Sequence, residues 1–495
     1  MPIPSPMNVL FLASEADPLI KVGGLGDVAG SLPLALHALH PAYDGSPVEL
    51  DIRLVIPFHP AIPADVYSPH QIAEFPVHSE DGAIITRVFS IQLDGLTVYL
   101  IAGAPIDMET AVYSTNLEAD GYKYVFFSQA ALELARQLNW KPHILHANDW
   151  HTAPAVYSLA LQRHSEPFWE QTASLLTVHN LPYLGAMTAP ALDAFQLPAV
   201  KSVDLPRWAR HLAMPLGLLH ADCIVAVSPG YSREILTKEF GSGLDSFLRA
   251  HQNKIHGILN GLDTQRWNPQ TDIELAATFS YDNLLVRPVN KSYLQKELCL
   301  EVNPQIPLLA MVTRMDPQKG VDLSVTALRS LLTSKHQADQ PFQAVFLGTG
   351  NPVLESLVRQ LELDFPNQVR AHVMYSELFS RYIYAGADIL LMPSRYEPCG
   401  LSQMIAMHYG CVPIARATGG LSDTIHEATS SSQGTGFLFK DADADELTET
   451  ILRALLIYTQ DPLAWQQLQI HGMQHDFSWD RSAQEYYKQY TLLIG

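Results

Sequence analysis

Met392-Pro-Ser-Arg-Tyr-Glu-Pro-Cys-Gly-Leu-Ser-Gln-Met404 follows the apolar run Ala387-Asp-Ile-Leu-Leu391. Such a run is typical of a buried strand in a parallel sheet, so Glu397 and Gly400 should lie beyond its carboxyl end, where open α/β folds bind ligands. Gly400 permits close backbone approach, and a helix from Ser402 would direct N–H groups at an anion. We predict a site for a phosphorylated ligand with hydroxyl groups. A plain strand-turn-helix is less favoured, because buried glutamates are unusual.

The composition is that of a globular protein with two domains. The chain has 495 residues, more than one core usually supports, and 47% of them are hydrophobic. Its net charge of -20 argues against nucleic acid and anionic membranes as partners. Four widely spaced cysteines and the lack of a signal-peptide pattern or a long apolar run predict a soluble, cytoplasmic protein.

A glycine-rich stretch, Lys21-Val-Gly-Gly-Leu-Gly-Asp27, follows the first predicted strand, Asn8-Val-Leu-Phe-Leu-Ala13. Glycines between a strand and a helix can hold an anion, and Lys21 adds a cation suited to phosphate. The spacing Gly24-x-Gly26-x-x-Ala29 also fits a dinucleotide fingerprint. That alternative is less favoured, because about ten residues separate strand and glycines where a dinucleotide fold turns at once. Glycines that serve only a tight turn are the other alternative.

Two further strands end in polar clusters, His143-Ile-Leu-His-Ala-Asn-Asp-Trp-His151 and Ser174-Leu-Leu-Thr-Val-His-Asn180. Either histidine alone would be interpreted as a core residue, but two strands that end alike predict a functional edge. A metal site made of His146, Asp149 and His151 is conceivable, although no further ligand is evident.

The second half restarts the βα alternation with the strand Leu308-Leu-Ala-Met-Val-Thr313. Arg314 and Lys319 in the following loop can converge on a diphosphate; a solvated basic loop is the alternative. Thr418-Gly-Gly begins a second glycine-led helix, which suits a diphosphate and a sugar. Asp441-Ala-Asp-Ala-Asp445 resembles a metal-binding acid pair, but acids at a helix start explain it better.

Six motifs, taken in order along nearly the whole chain, resemble the bacterial glycogen synthase and plant starch synthase family. They are Lys21-Val-Gly-Gly-Leu-Gly-Asp-Val, His146-Ala-Asn-Asp-Trp-His, Thr177-Val-His-Asn, Asn260-Gly-Leu-Asp-Thr-x-x-Trp-Asn-Pro269, Arg314-x-x-x-Gln-Lys-Gly and Ser394-Arg-Tyr-Glu-Pro-Cys-Gly-Leu-Ser-Gln. The resemblance implies an α/β fold with two Rossmann-like doubly wound domains facing a central cleft, the glycosyltransferase B fold. Residues 1–250 would be the acceptor-side domain and 251–478 the nucleotide-sugar-binding domain, with helix 479–495 crossing back to the first.

The resemblance further implies glucosyl transfer from ADP-glucose to the non-reducing 4-hydroxyl of an α-1,4-glucan such as glycogen or a maltooligosaccharide, with retention and without a metal or other cofactor. The implied catalytic residues are Glu397, Arg314, Lys319, His179 and Asp149. The implied donor-binding residues are Lys21, Gly23, Gly24, Asp27, Asn260, Cys399, Gly400, Leu401 and Ser402. Within these sets Arg314 and Lys319 would stabilise the departing ADP, and His179 would contact the donor sugar.

The chemistry agrees with that assignment. Negative charge grows on the leaving diphosphate, so cations and helix N-termini are the useful electrostatic elements. Retaining glycosidases use two carboxylates about 5 to 5.5 Å apart. The sequence offers one candidate, Glu397, which favours front-face displacement, with the leaving phosphate accepting the acceptor's proton.

The first half departs from the family pattern twice. A Tyr-x-Asp-Asn-x-x-Arg-Phe run is usual where this chain has Gly121-Tyr-Lys-Tyr-Val-Phe-Phe-Ser128, and a Lys-Ala-Gly-like stretch is usual where it has Met214-Pro-Leu-Gly217. The donor motifs are intact, so these departures bear on the acceptor. Two alternatives therefore remain: a glucosyltransferase with a short or non-glucan acceptor, and a glucan-binding relative with little turnover.

Overall fold

The computed structural model describes residues 3–334, 341–428 and 433–495. The chain forms two compact units, Met1–Gly261 with Trp479–Gly495, and Leu262–Ser478. The sequence-based boundary at residue 250 falls before the short strand Ile255–Gly257, which pairs with the first unit's sheet. Residues 251–261 therefore belong to the first unit.

Among the described residues, nine strands form the first unit's main sheet in the order β11-β10-β9-β8-β1-β4-β7-β6-β5. The pairs β5/β6 and β6/β7 are antiparallel and the others are parallel. In chain order the strands are β1 (Met7–Leu12), β4 (Leu50–Pro57), β5 (His70–Ser79), β6 (Gly82–Leu93), β7 (Leu96–Ala102), β8 (Ile144–Asn148), β9 (Ala173–Val178), β10 (Cys223–Ala226) and β11 (Ile255–Gly257), with β2 (Ala42–Tyr43) and β3 (Ser46–Pro47) in a separate hairpin.

The helices of this unit connect the strands. They are α1 (Gly24–Ala38), α2 (Ala64–Tyr67), α3 (Ala104–Asp107), α4 (Leu117–Gln137), α5 (Asp149–Gln162), α6 (Ala189–Ala194), α7 (Ala213–His220), α8 (Pro229–Glu234) and α9 (Asp245–Ala250). No helix among the described residues of the chain is long and apolar enough to cross a bilayer.

The second unit contains a parallel sheet, described with six strands in the order β14-β13-β12-β15-β16-β17. These are β12 (Leu308–Val312), β13 (Gln343–Leu347), β14 (Val369–His372), β15 (Ile389–Met392), β16 (Val412–Arg416) and β17 (Phe437–Phe439). Its helices are α10 (Arg287–Glu297), α11 (Val321–Thr333), α12 (Pro352–Asp364), α13 (Glu377–Gly386), α14 (Ser402–His408), α15 (Gly419–Thr424), α16 (Ala444–Gln460) and α17 (Pro462–Gln474). The side chain of Asp443 caps α16 by accepting from Asp445 and Glu446, which confirms that this acid run starts a helix.

The last helix, α18 (Trp479–Ile494), packs in the core of the first unit. One apolar face places Trp479, Tyr486 and Tyr490 among buried residues of that core. The hydroxyl of Tyr490 lies 2.6 Å from Nδ1 of the fully buried His146, whose Nε2 lies 2.8 Å from the hydroxyl of Thr177. Because both ring nitrogens of His146 have protein partners, this histidine anchors the helix.

We predict that Tyr490→Phe lowers the free energy of unfolding of the protein by about 1–3 kcal/mol, since it leaves a buried ring nitrogen without a partner. Tyr487→Phe on the same helix is the matched control, because the buried Tyr487 hydroxyl has no partner among the described residues. Denaturant unfolding of both variants checks this; equal losses would contradict the anchoring role.

Candidate active site

The predicted crevice exists at the point where the second sheet changes direction. Strands β12 and β15 are neighbours in the sheet. After β12 the chain continues to β13 on one side, and after β15 it continues to β16 on the other side. The two connections therefore separate and leave a crevice at the carboxyl ends of β12 and β15. A small cavity of about 50 Å³ lies there. Its lining residues are Met311, Val312, Thr313, Lys319, Leu391, Met392, Ser394, Glu397, Gly400, Leu401 and Ser402.

Glu397 and Lys319 form the charged centre of this cavity. The Lys319 ammonium lies 2.8 and 2.6 Å from the two carboxylate oxygens of Glu397, and the Ser394 hydroxyl donates to one of these oxygens at 2.8 Å. Glu397 is buried. Lys319 ends a short 3-10 turn that is followed by Gly320, at φ +67°. A Cβ at Gly320 would lie 2.1 Å from the carbonyl oxygen of Pro393, so only glycine lets the two segments approach this closely.

Two glycine-led helix starts meet at the segment after Glu397. Gly400, at φ +75°, turns the chain into α14, which begins at Ser402 without a side-chain cap. The backbone N–H of Gly420 donates to the carbonyl of Glu397 at 3.1 Å, and a Cβ at Gly420 would lie 2.2 Å from the carbonyl oxygen of the buried Cys399. The predicted pair of glycine-rich turns therefore lies at one point in the fold.

Arg314 is not part of this cluster in the structure. Its side chain is exposed, forms no hydrogen bond or ion pair with the described residues, and does not line the cavity. The predicted convergence of Arg314 and Lys319 thus stays a prediction about the ligand-bound protein.

The first sheet changes direction between β1 and β8, and polar residues collect there too. The glycine-rich stretch does begin a helix, α1, at Gly24. One oxygen of the Glu15 carboxylate accepts from the backbone N–H of Val22 and, at 3.2 Å, from that of Gly23. The hydroxyl of Tyr113 donates to its other oxygen at 2.9 Å. Burial raises the pKa of Glu15 above its ordinary value.

Glu15 and Tyr113 were missed by sequence reasoning. The available signal was an acid three residues after an apolar strand and eight residues before the first glycine of the loop. Glu15 fills the loop with a carboxylate, and α1 starts twelve residues after β1 ends at Leu12. Neither feature fits the tight strand-to-helix turn of a dinucleotide site.

Lys21 and Asp27 are paired with each other. The Lys21 ammonium lies 2.6 Å from a carboxylate oxygen of Asp27, and both side chains are partly exposed. Gly24 is exposed, and a Cβ there would meet no atom of the described residues within 4 Å. The start of α1 is therefore open on the side of Gly24.

Asp149 and His179 are joined at the ends of β8 and β9. Asp149 accepts from the backbone N–H groups of His179 at 2.7 Å and Asn180 at 3.3 Å, and the ring of His179 bonds the Asn148 side chain at 2.9 Å. Asp149 has φ +55°, a left-handed conformation that is costly for most non-glycine residues and common at functional sites. The two strand ends thus form one polar cluster, as the sequence predicts.

Burial sets the protonation of this cluster. It raises the pKa of Asp149 to about 7 against the lowering effect of the two backbone hydrogen bonds, and it lowers the pKa of His179 to about 3. His179 is therefore neutral at physiological pH, while Asp149 is near its midpoint.

The alternative metal site is not supported by the side-chain contacts. Both nitrogens of His146 are bonded within the core, and His151 packs its ring against Trp150 at 4.2 Å and Tyr124 at 4.6 Å between centroids. Over the described residues, no group of three or more His, Cys, Asp and Glu has a metal-binding arrangement.

Asn260 lies near the end of the first unit's main segment. It is buried, and its amide oxygen has no hydrogen-bond partner among the described residues. A buried unpaired amide oxygen is unusual and often marks a ligand or water position.

Comparison with known proteins shows which protein families this chain matches. Residues 8–250 match the family model of the starch synthase catalytic domain, and residues 300–464 match that of glycosyl transferases group 1. Glycogen synthase from Syntrophotalea carbinolica is 37% identical over 495 residues, which cover 99% of both chains, and that from Lactiplantibacillus plantarum is 37% identical over 498 residues, 98% of this chain and 99% of its own.

The chain belongs to the glycogen synthase and starch synthase family.

Solved structures agree with this membership. The catalytic domain of starch synthase IV from Arabidopsis thaliana, bound to ADP and acarbose, matches with a TM-score of 0.86 at 31% identity over 99% of this chain and 100% of its own. Sucrose-phosphate synthase from Thermosynechococcus elongatus shares the fold, with a TM-score of 0.61 at 19% identity over 99% of each chain. The predicted α/β class with two doubly wound domains, the family and its glycosyltransferase activity are confirmed.

The pKa of Asp149 makes stability depend on pH. Its folded value of about 7 exceeds the ordinary 3.8, so the stabilisation is fully present below about pH 4 and is lost as pH rises through 7. Asp149→Asn keeps an acceptor for both N–H groups and cannot ionise. We therefore expect its unfolding free energy, relative to that of the native chain, to rise by up to ~4 kcal/mol between pH 4 and pH 8.

Urea unfolding at pH 4, 6 and 8 measures this change. Asp222→Asn is the control: burial opposes ionisation of Asp222, but hydrogen bonds from Arg163 and Ser174 outweigh it and lower its pKa, so its stabilisation is present above about pH 4 and is lost only at lower pH. The unfolding free energy of Asp222→Asn relative to that of the native chain should therefore change little between pH 4 and pH 8. Parallel pH curves for native protein and Asp149→Asn would refute the raised pKa.

Proposed function

We propose that this protein transfers glucose from ADP-glucose to the non-reducing 4-hydroxyl of an α-1,4-glucan, with retention at the anomeric carbon and with no metal ion or other cofactor. The observation that carries the proposal is the Lys319–Glu397–Ser394 cluster, which lies in a cavity at the strand ends of a chain from this family. The related starch synthase IV was solved with ADP and acarbose, which supports this donor and an oligosaccharide acceptor.

The second unit is proposed to bind the donor. Cleavage of the bond between the glucosyl C1 and the phosphate oxygen leaves negative charge on the diphosphate, and Lys319 and Arg314 stabilise it as cations. Glu397 binds glucose hydroxyls, and the backbone from Cys399 to Ser402 binds glucose and phosphate. Lys319 must then exchange part of its pairing with Glu397 for the phosphate.

The first unit is proposed to contribute further contacts with the substrates. Lys21, Gly23 and Gly24 contact the donor diphosphate, with Asp27 beside them, and Asn260 also contacts the donor through its amide oxygen, which has no partner among the described residues. The ring Nε2–H of His179 donates to the amide oxygen of Asn148, so Nδ1 of this neutral ring is suited to accept a hydrogen bond from a hydroxyl of the donor sugar. Asp149 contacts the sugar or the acceptor.

Retention by front-face displacement is supported by the cavity lining. Glu397 is the one carboxylate among its lining residues, and both of its oxygens are bonded to Lys319. A carboxylate so paired is a weak nucleophile. In our proposal the C1–O bond to the acceptor forms on the face that the phosphate leaves, and the acceptor's proton passes to a phosphate oxygen.

The departures in the first half do not favour a different acceptor. Lys123, Tyr124 and the stretch Met214–Gly217 are buried in the first unit. Buried core residues can hold neighbouring residues in place, but they do not contact a polysaccharide. We therefore favour an α-1,4-glucan acceptor over an unrelated one.

Three other expectations belong to the proposal. The protein has no nucleic-acid or membrane partner, since its net charge is -20. It works in the cytoplasm, which agrees with four free cysteines. We expect the protein to turn over its nucleotide-glucose substrate, unlike a relative that only binds glucan.

The first test is release of ADP or UDP from each nucleotide-glucose with glycogen, with maltooligosaccharides and without acceptor. Glycogen-stimulated ADP release with growth of the glucan supports the proposal. Release only with short acceptors would move the assignment to another glucosyltransferase, and no release would favour the binding relative.

We predict that Lys319→Ala, Glu397→Ala and Arg314→Ala each lower turnover by about 100-fold or more, because each removes a charged contact with the donor in a site that excludes water. Arg329→Ala is the control; its guanidinium is partly exposed and paired with Asp364 on α12. Circular dichroism checks folding. Near-native rates for all three variants would contradict the site.

A further inference from the structure

Lys123 is a lysine with no exposed surface, placed on α4. Its ammonium donates to the Asp120 carboxylate at 2.8 Å and to the backbone carbonyls of Val112 at 2.8 Å and Ala111 at 3.1 Å. These three bonds use all three of its N–H groups. Asp120 therefore compensates the charge of Lys123, and the other two hydrogen bonds of the ammonium bind a neighbouring backbone segment.

Two more bonds tie that segment to the same turn of α4. The other oxygen of Asp120 accepts from the backbone N–H of Ser114 at 2.8 Å, and the hydroxyl of Tyr124 donates to the Val112 carbonyl at 2.5 Å. The backbone is thus bound on both sides of Tyr113. We call residues 111–114 the Tyr113 segment.

The Tyr113 segment leads directly to the glycine-rich loop. The Tyr113 hydroxyl contacts the Ser14 hydroxyl and the Glu15 carboxylate, both at 2.9 Å. Glu15 in turn binds the N–H groups of Val22 and Gly23. A continuous set of hydrogen bonds therefore runs from Lys123 to the residues that precede α1.

We propose that Asp120 and Lys123 form a positioning pair for the glycine-rich loop, acting through Tyr113 and Glu15. The pair holds the backbone on both sides of Tyr113 and so sets the position of its side chain. The Tyr113 hydroxyl then holds one carboxylate oxygen of Glu15. The other oxygen of Glu15 holds the loop that carries Lys21 and Gly24. The consequence for donor affinity rests on the proposed function; the effect on the loop itself does not.

Stability alone does not explain a buried ion pair. Replacing such a pair by apolar residues of similar volume is often neutral or stabilising. Here the apolar replacement would remove the ammonium from the carbonyls of Ala111 and Val112, and the Val112 carbonyl would keep only the Tyr124 hydroxyl as a donor among the described residues. The pair holds a backbone conformation that an apolar core would not specify.

The test is Lys123→Met, measured by two readouts. Hydrogen exchange of the peptide with residues 20–26 should speed up, because Glu15 no longer holds the N–H groups of Val22 and Gly23 in place. The KM for ADP-glucose should rise about tenfold or more, with kcat changed less than the KM, as expected for loss of charged hydrogen bonds that support substrate binding. If Lys123→Met does not fold, Asp120→Asn is the second test variant and is measured by the same two readouts; it removes the charged partner but keeps both carbonyl bonds of Lys123.

Lys291→Met is the matched control. Lys291 is also a buried lysine, bonded to Asp388 at 2.7 Å, Pro304 and Tyr458 in the second unit, and Asp388 precedes β15 at the end opposite Glu397. It should lower the melting temperature without changing exchange in residues 20–26.

A double-mutant cycle tests whether Lys123 acts through Tyr113. In a Tyr113→Phe background, Lys123→Met should raise the KM by a smaller factor than it does alone, because both substitutions disturb the same set of hydrogen bonds. Lys123→Met with native exchange in residues 20–26 and only a lower melting temperature overturns the proposal. Absence of ADP release by the native chain overturns the proposed function instead, and the exchange result then still decides the positioning role.

Discussion

Both units depend on one topological constraint. In each sheet two adjacent parallel strands, β1 with β8 and β12 with β15, begin runs that proceed in opposite directions. The connections after these strands must separate, so backbone groups and side chains at the carboxyl ends are left accessible to a ligand. Glu15, Asp149, Lys319 and Glu397 all follow these strands or their neighbours. The site is thus a consequence of strand order before it is a matter of individual residues.

A second constraint is that most charges at these ends are satisfied within the protein, whereas Arg314 is exposed to solvent. Lys319 is bonded to Glu397, Lys21 to Asp27, and the Glu15 carboxylate to loop N–H groups. A charge removed from water without a partner would cost several kcal/mol, so such pairing is what lets these groups be held near the core. Binding of an anionic donor must then replace existing contacts, and its net gain is a difference between two sets of hydrogen bonds.

Sequence reasoning found the features that are local in the chain. Apolar runs predict the strands, and glycines such as Gly400 mark turns where φ is positive, so the strand ends and glycine-led helices were predictable. It could not find partners that are distant in sequence. The contact of His146 with Tyr490 spans 344 residues and that of Glu15 with Tyr113 spans 98, and no period or motif encodes either.

The stretch after Asp120 shows why a departure from a pattern needs its contacts before it is interpreted. Judged by residue type, the absence of the family's usual Asn and Arg from residues 121–128 points to a changed acceptor. Judged by contacts, Lys123 is fully buried and its charge is met by Asp120. A lysine buried alone here would carry an uncompensated charge, and so would an aspartate buried alone. Together the two charges compensate each other, because the carboxylate that would be costly alone is the partner that the ammonium requires.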